Sequence, residues 1–193
     1  MMAGFEHEPH YEGETDDWIT PRYIINAFGS YNYFDLDPCA SMTQPWACAK
    51  RSYNKKKNGL IPNWYGNVWL NPPYGAKAKL WVRRLAEHGQ GVALIFARTD
   101  TDLWQEEIFT TADGFLFIDG RIQFYLPDGT LPIDKNGVEG GNAGAPSCLI
   151  AWGDDNRNRL IQICEDGTIP GAFLDRAFYT GSYHNPPPKL PGF

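Results

Sequence analysis

Two adjacent prolines behind a short apolar run, in Val68-Trp69-Leu70-Asn71-Pro72-Pro73-Tyr74-Gly75, constrain the fold of this chain more than any other feature. Neither proline carries a backbone N–H, and each fixes φ, so a β-ladder cannot continue through them and a helix cannot begin ahead of them. The run Val68 to Leu70 is therefore expected to be a strand that ends abruptly at Asn71. From Lys77 to His88 the residues Leu80, Val82, Leu85 and Ala86 mix with charged side chains in helical fashion, and Gly89 and Gly91 close the segment. Gly91 to Ala97 is then an apolar run of strand length. Strand, rigid turn, helix and buried strand in succession define an α/β unit with a parallel sheet.

The flanking segments extend this pattern. Thr20 is expected to cap a helix with Pro21 at its first position, running to Ala27 or Phe28 and stopping at Gly29. Tyr33 to Asp37 reads as a short strand ended by Pro38, and residues 39–66 read as irregular. Thr101 to Thr110 is expected to be helical, with Thr99 or Asp100 available as a cap. Gly114 to Ile118 and Arg121 to Leu126 read as two strands about an Asp119-Gly120 turn. A Gly-rich loop, Pro127 to Pro146, precedes a strand from Cys148 to Trp152 and a helix from Arg157 to Cys164. The fold class is thus α/β, a mainly parallel sheet with an antiparallel edge. In such sheets ligands bind beyond the carboxyl ends of the strands. Both sharp polar motifs, Asp37-Pro38-Cys39-Ala40 and Asn71-Pro72-Pro73-Tyr74, fall at strand ends.

Charge divides the chain into three parts. Six acidic residues and no Lys or Arg stand in residues 1–17, which lack periodicity and are expected to form a disordered tail. Residues 18–180 form one domain, and the proline-rich stretch 181–193 a second tail. The net charge of −6 comes from the acidic tail, because the remainder holds 17 acidic and 17 basic residues. Lys50, Arg51, Lys55, Lys56 and Lys57 cluster, as do Lys77, Lys79, Arg83 and Arg84. Solvated surface is the simpler reading of these clusters, and phosphate binding the other. The longest apolar run is too short to span a membrane and the start lacks a signal-peptide core, so a cytoplasmic protein is expected. The four cysteines form no C-x-x-C pair, and His7 and His10 alone are too few for a metal site, so no metal is expected.

Asn-Pro-Pro-Tyr carries a specific chemistry. Its proline carbonyls are free to accept, and Asn71 adds a side-chain amide oxygen. Two converging acceptors suit a planar –NH₂ group. The exocyclic nitrogen of a base such as adenine is a poor nucleophile because its lone pair is delocalised into the ring. Accepting both N–H bonds favours a pyramidal nitrogen whose lone pair can attack a sulfonium methyl in line. Such catalysis is positioning and electrostatics, with no nucleophilic role for cysteine. Tyr74 offers a face for base stacking, worth about 1–3 kcal/mol. A base paired in a duplex must leave the stack to reach such a pocket.

With these motifs in order, the chain resembles the small phage and prophage DNA N6-adenine methyltransferases. The matching pieces are Trp18-Ile19-Thr20-Pro21, Phe34 to Ala40, Asn58-Gly59-Leu60, Val68 to Tyr74, Ala97 to Thr101 with Trp104, Gly120 to Phe124, and Ala145-Pro146-Ser147. The resemblance implies a Rossmann-like fold that binds S-adenosylmethionine and acts on double-stranded DNA. It implies catalytic roles for Asn71, Pro72, Pro73 and Tyr74. It implies cofactor contacts from Thr20, Pro21, Asp37, Pro38, Cys39, Ala40 and Asn58, with Asp37 near the methionine ammonium. Asp35 alternates with Asp37 and is a second candidate for that contact. Lys77, Arg98, Thr99, Asp100 and Arg121 are candidates for pocket shaping or DNA contact. The chain lacks the F-x-G-x-G glycines of larger amino-methyltransferases. Asn58 stands where the family often has Asp, and its amide oxygen can still accept. The same two-acceptor logic would serve cytosine N4, RNA or a protein glutamine, and a DNA-binding relic without turnover is the non-enzymatic alternative.

Overall fold

The computed structural model describes residues 17–75, 77–133, 137–140 and 143–178. The expectations for the acidic and proline-rich tails, and for His7 and His10, lie outside them.

Its sheet has the order β2-β1-β3-β4-β6-β5-β7. The strands are β1 (Leu36–Asp37), β2 (Arg51–Ser52), β3 (Val68–Leu70), β4 (Gly91–Phe96), β5 (Gly114–Ile118), β6 (Ser147–Trp152) and β7 (Gly171–Asp175). The first four are mutually parallel, β6 runs against β4 and β5, and β7 runs against β5. Five strands therefore point one way and two the other, the mainly parallel sheet with an antiparallel edge that the sequence suggests.

Both faces of the sheet are covered. The helix α1 (Arg22–Ala27) and the helix α4 (Asp154–Glu165) pack on one side with Phe34, Trp69, Val92 and Leu94. On the other side Val68, Leu70, Ala93 and Ile95 meet α2 (Ala78–His88) and a π-helical segment (Leu103–Ile108) that runs into α3 (Phe109–Thr111). Successive residues of β4 thus point to opposite buried faces, which is why its sequence is continuously apolar. Helix α2 buries Ala78, Trp81, Val82 and Leu85 and ends at Gly89, whose φ of 75° allows its N–H to bond the Leu85 carbonyl at 2.9 Å.

Several local expectations are corrected. Thr20 does not cap α1: Pro21 holds the cap position, and no side chain caps it. Thr20 is buried, and its carbonyl accepts from Trp46 Nε1 at 2.8 Å. The strand expected from Tyr33 shrinks to Leu36–Asp37, because Tyr31–Tyr33 forms a 3₁₀ turn capped by the Ser30 hydroxyl. Arg121 to Leu126 forms no hairpin with β5, since both edges of β5 are taken by β6 and β7. Tyr125 instead bridges to Ile19. Neither Thr99 nor Asp100 caps the helix expected from Thr101: the π-helical segment starts after Asp102, with no side-chain cap. The second basic cluster is largely consumed by structure. Lys79 pairs with Glu106, Arg83 with Glu107, and Arg84 donates to the Pro62 carbonyl at 2.7 Å.

Candidate active site

Strand β1 has β2 on one side and β3 on the other, so the strand order reverses between β1 and β3. At such a switch point the loops diverge and leave a crevice beyond the carboxyl ends. Asp37 ends β1, and Asn71 directly follows β3. The two motifs are tied together there, with Cys39 Sγ donating to the Asn71 carbonyl at 3.1 Å.

Two adjoining hollows open at this point. One is lined by Thr20, Asp37, Cys39, Ala40, Gln44 and Trp69 among others. The second is lined by Asp17, Pro72, Pro73 and Tyr74. Trp18, Cys39, Ser41 and Asn71 border both. The Asp37 motif and the Asn-Pro-Pro-Tyr motif thus face two halves of one cleft, and Asn71 stands at their junction.

Asp37 is only 4% exposed. Burial raises its carboxyl to about 7, against the opposing pull of the Cys39 N–H and the Gln44 side chain. The Cys39 N–H donates to Asp37 Oδ1 at 3.1 Å, so the residue both shapes the Asp-Pro turn and presents a carboxylate to the hollow. Burial holds the thiols of Cys39 and Cys48 far above their usual range, which keeps them protonated and unsuited to nucleophilic attack.

Asn71 donates Nδ2 to the Trp18 carbonyl at 2.9 Å, which fixes which end of the amide is the acceptor. Among the described residues its Oδ1 receives only a long bond from the Tyr74 hydroxyl, 3.4 Å. Among the described residues nothing donates to the carbonyls of Pro72 and Pro73. Among the described residues, three acceptors are therefore left with spare capacity in one turn. The Tyr74 ring stacks on Phe96 at 4.0 Å and 9° and meets the edge of Phe124 at 6.1 Å. One face of Tyr74 is thus already occupied, and burial keeps its phenol protonated.

Segment 18–20 lies across the end of β3. It is held by the Asn71–Trp18 bond, by the Trp46 bond to Thr20, and by the paired Ile19 and Tyr125 backbones at 2.9 and 3.1 Å. Trp46 in turn meets Tyr125 edge-on at 5.1 Å and carries Arg22 over its ring at 4.8 Å.

Of the cofactor candidates, Thr20, Asp37, Cys39 and Ala40 line the cleft. Pro21 and Pro38 are buried beside it without lining either hollow. Asp35 does not join them. It sits at the opposite end of β1, accepting from Lys50 Nζ and the Asn67 N–H, both at 2.8 Å, and these partners hold its carboxyl below the usual range. Asn58 is exposed, with a left-handed φ of 47°, and its Oδ1 accepts from Leu60 N–H at 3.4 Å. The neighbouring Gly59 packs so closely that a Cβ there would lie 1.8 Å from the Pro38 carbonyl oxygen, so this segment buttresses the Asp-Pro turn from outside. Lys77, Arg98, Thr99, Asp100 and Arg121 are all exposed. Lys77 begins α2, Arg98 to Asp100 follow β4, and Arg121 follows β5. Sequence reasoning missed Gln44, Cys48 and Trp69 as lining residues. Trp69 carries a signal, because it shares the Asn71 face of β3 by alternation; Gln44 and Cys48 carry none.

An open sheet whose order reverses beside an acidic strand end and an Asn-Pro-Pro-Tyr turn defines a Rossmann-like methyltransferase. The family described as DNA N-6-adenine-methyltransferase (Dam) matches residues 9–162, and the chain belongs to it. It is a DNA methyltransferase that acts on the N6 amino group of adenine. Comparison with curated proteins and with solved structures gives no match.

Proposed function

We propose that the hollow at Asp37 binds S-adenosylmethionine and the hollow at Asn71 to Tyr74 receives an adenine turned out of double-stranded DNA. The observation that carries this reading is the adjacency of the two hollows across Asn71, with a buried carboxyl group on one side and acceptors with spare capacity on the other. Asp37 fits the cofactor chemically: it is a buried carboxylate with no ion pair among the described residues, and a sulfonium amino acid brings cations.

The cofactor supplies an electrophilic methyl on a positively charged sulfur. Asn71 Oδ1 and a proline carbonyl accept the two N6 hydrogens of the adenine. Drawing density out of both N–H bonds would localise the nitrogen lone pair for attack on the methyl; as the N–C bond formed the methyl–sulfur bond would break to leave a neutral thioether, and the surplus N6 proton would leave along one of these hydrogen bonds to solvent. Tyr74, set in plane by Phe96, carries the base on its remaining face. Pairing in a duplex would occupy the amino group, so the base must be extruded first. Arg98, Arg121 and Lys77 are exposed cations that follow β4, follow β5 and begin α2, and are proposed to contact phosphates. Thr99 and Asp100 shape the rim between them. A cytoplasmic setting follows from this substrate. The described residues include no helix long and apolar enough to cross a membrane.

The test is transfer from tritiated S-adenosylmethionine to unmethylated DNA, with the modified base identified after digestion. Wild type should yield N6-methyladenine. Asn71→Ala should lose roughly 10²–10³-fold in rate, the usual effect of removing one group that stabilises a transition state. Undiminished transfer by Asn71→Ala would rule out its assigned role.

A further inference from the structure

Unpartnered polar groups gather on one wall of the Asp37 hollow. Trp69 is 0% exposed, lines that hollow, and its indole N–H donates to nothing among the described residues. Other tryptophans of the fold behave differently. Trp46, Trp64, Trp104 and Trp152 each donate their indole N–H to a carbonyl or hydroxyl at 2.7–3.0 Å. Gln44 lines the same hollow, its side chain lies close enough to Asp37 to pull that carboxyl down against burial, and its Oε1 is buried with no partner among the described residues. Buried donors and acceptors are normally satisfied, so an unmatched pair beside a buried carboxylate calls for a partner from outside the chain.

One donor, one acceptor and one carboxylate match a single ligand group: the ammonium and carboxylate of an α-amino acid. A ribose or a neutral purine brings no cation for Asp37. The geometry points to Trp69 and Gln44 as positioning residues for the amino-acid end of S-adenosylmethionine, Trp69 donating to its carboxylate and Gln44 Oε1 accepting from its ammonium beside Asp37. This assignment rests on the cofactor reading proposed above. Trp69 on β3 and Asn71 just beyond its end are two residues apart, the spacing of one strand face, with Trp69 assigned to the amino-acid end and Asn71 to the target nitrogen. One short strand thus sets the distance between the anchored end of the methyl donor and its acceptor.

The test is equilibrium binding by calorimetry, independent of turnover. The ligands are S-adenosylhomocysteine, which keeps the amino-acid end, 5′-deoxy-5′-methylthioadenosine, which lacks it, and decarboxylated S-adenosylmethionine, which lacks only the carboxylate. Trp69→Phe keeps the bulk of an aromatic ring but removes the N–H. It should weaken S-adenosylhomocysteine about tenfold and leave the other two ligands within about twofold of wild type. Gln44→Leu should weaken both amino-containing ligands and spare methylthioadenosine. If Trp69→Phe unfolds, β-(3-benzothienyl)alanine at position 69 replaces only the N–H by sulfur and should give the same pattern. Equal losses for S-adenosylhomocysteine and methylthioadenosine, or no loss for either, would overturn the assignment and leave a buried water as the partner of the indole. Wild type binding none of the three would instead sink the cofactor reading, before any substitution is made.

Discussion

The two halves of the sheet are built on different terms. The antiparallel half, β5, β6 and β7, consists of strands of five or six residues joined by regular backbone ladders. In the half that carries the site, β1 and β2 have two residues each and β3 has three. There, side chains do what ladders do elsewhere: Asn71 to Trp18, Cys39 to Asn71, Trp46 to Thr20, Trp64 to Gly59 and Asp35 to Asn67 each engage a backbone group. Short strands leave their ends free to turn toward a ligand, and side-chain anchors then hold those turns. The comparison separates a scaffold that stabilises from a cleft that is arranged for binding at some expense in stability.

That separation can be broken from either side. The largest stability effect is expected in the scaffold. Leu149, fully buried on β6, should cost about 2–5 kcal/mol when changed to Ala. Chemical denaturation measures the loss, and S-adenosylhomocysteine affinity under native conditions should stay within about twofold of wild type. A parallel fall in affinity would show the halves to be coupled.

Asp37→Asn should act the other way, weakening S-adenosylhomocysteine about 10–100-fold while stabilising the ligand-free protein. The sign follows from its carboxyl, raised to about 7. Folding favours the protonated form, so that contribution is whole below about pH 4 and is lost as pH rises to about 7. Above that, wild type holds a buried charge that the Asn variant lacks, a difference on the order of 4 kcal/mol at most. Melting curves should therefore diverge between pH 4 and 7 and stay apart at pH 8. Binding by wild type should strengthen over the same range, as the carboxylate that meets the ammonium forms. A variant no more stable than wild type at pH 8 would contradict the burial cost.

Trp46→Phe keeps an aromatic ring against Tyr125 and removes the bond to Thr20, for a loss of about 1 kcal/mol in stability and a few-fold weaker cofactor affinity. An affinity unchanged to within error would release segment 18–20 from its assigned part in the cleft. The smallest effect is expected at the rim. Arg98→Ala should lower the slope of log K for DNA against log salt by about 1, and Arg121→Ala likewise. An unaltered slope would remove the residue concerned from the phosphate contacts.

What was legible in the sequence was whatever the backbone decides locally. Pro72 and Pro73 end β3 by their own chemistry, α2 shows its buried stripe, and β4 shows its apolar run. What escaped depends on partners distant in sequence. The apolar spacing of Arg121 to Leu126 suits a strand, yet no open edge of β5 remains for it. Strands β2 and β7 have weak patterns, since β2 is two exposed residues and β7 begins exposed at Gly171. Asp35 and Asp37 look equivalent by alternation, but only the carboxyl end of β1 opens into the cleft. Within the site, Asn71, Tyr74 and Asp37 were readable from motif chemistry, whereas Gln44 reaches the hollow from an irregular loop with no periodicity to mark it.

The bridge between Ile19 and Tyr125 bears on how the protein is made. Every motif residue of the cleft has been synthesised once the ribosome passes Tyr74, yet the strap formed by residues 18–20 lacks its backbone partner until Tyr125 emerges, and β4 lacks its antiparallel neighbour until Trp152 does. Closing that loop is a long-range event, slow relative to the local helices. The nascent chain therefore carries both motifs of the cleft before the cleft is strapped, and the strap arrives late, with the scaffold half.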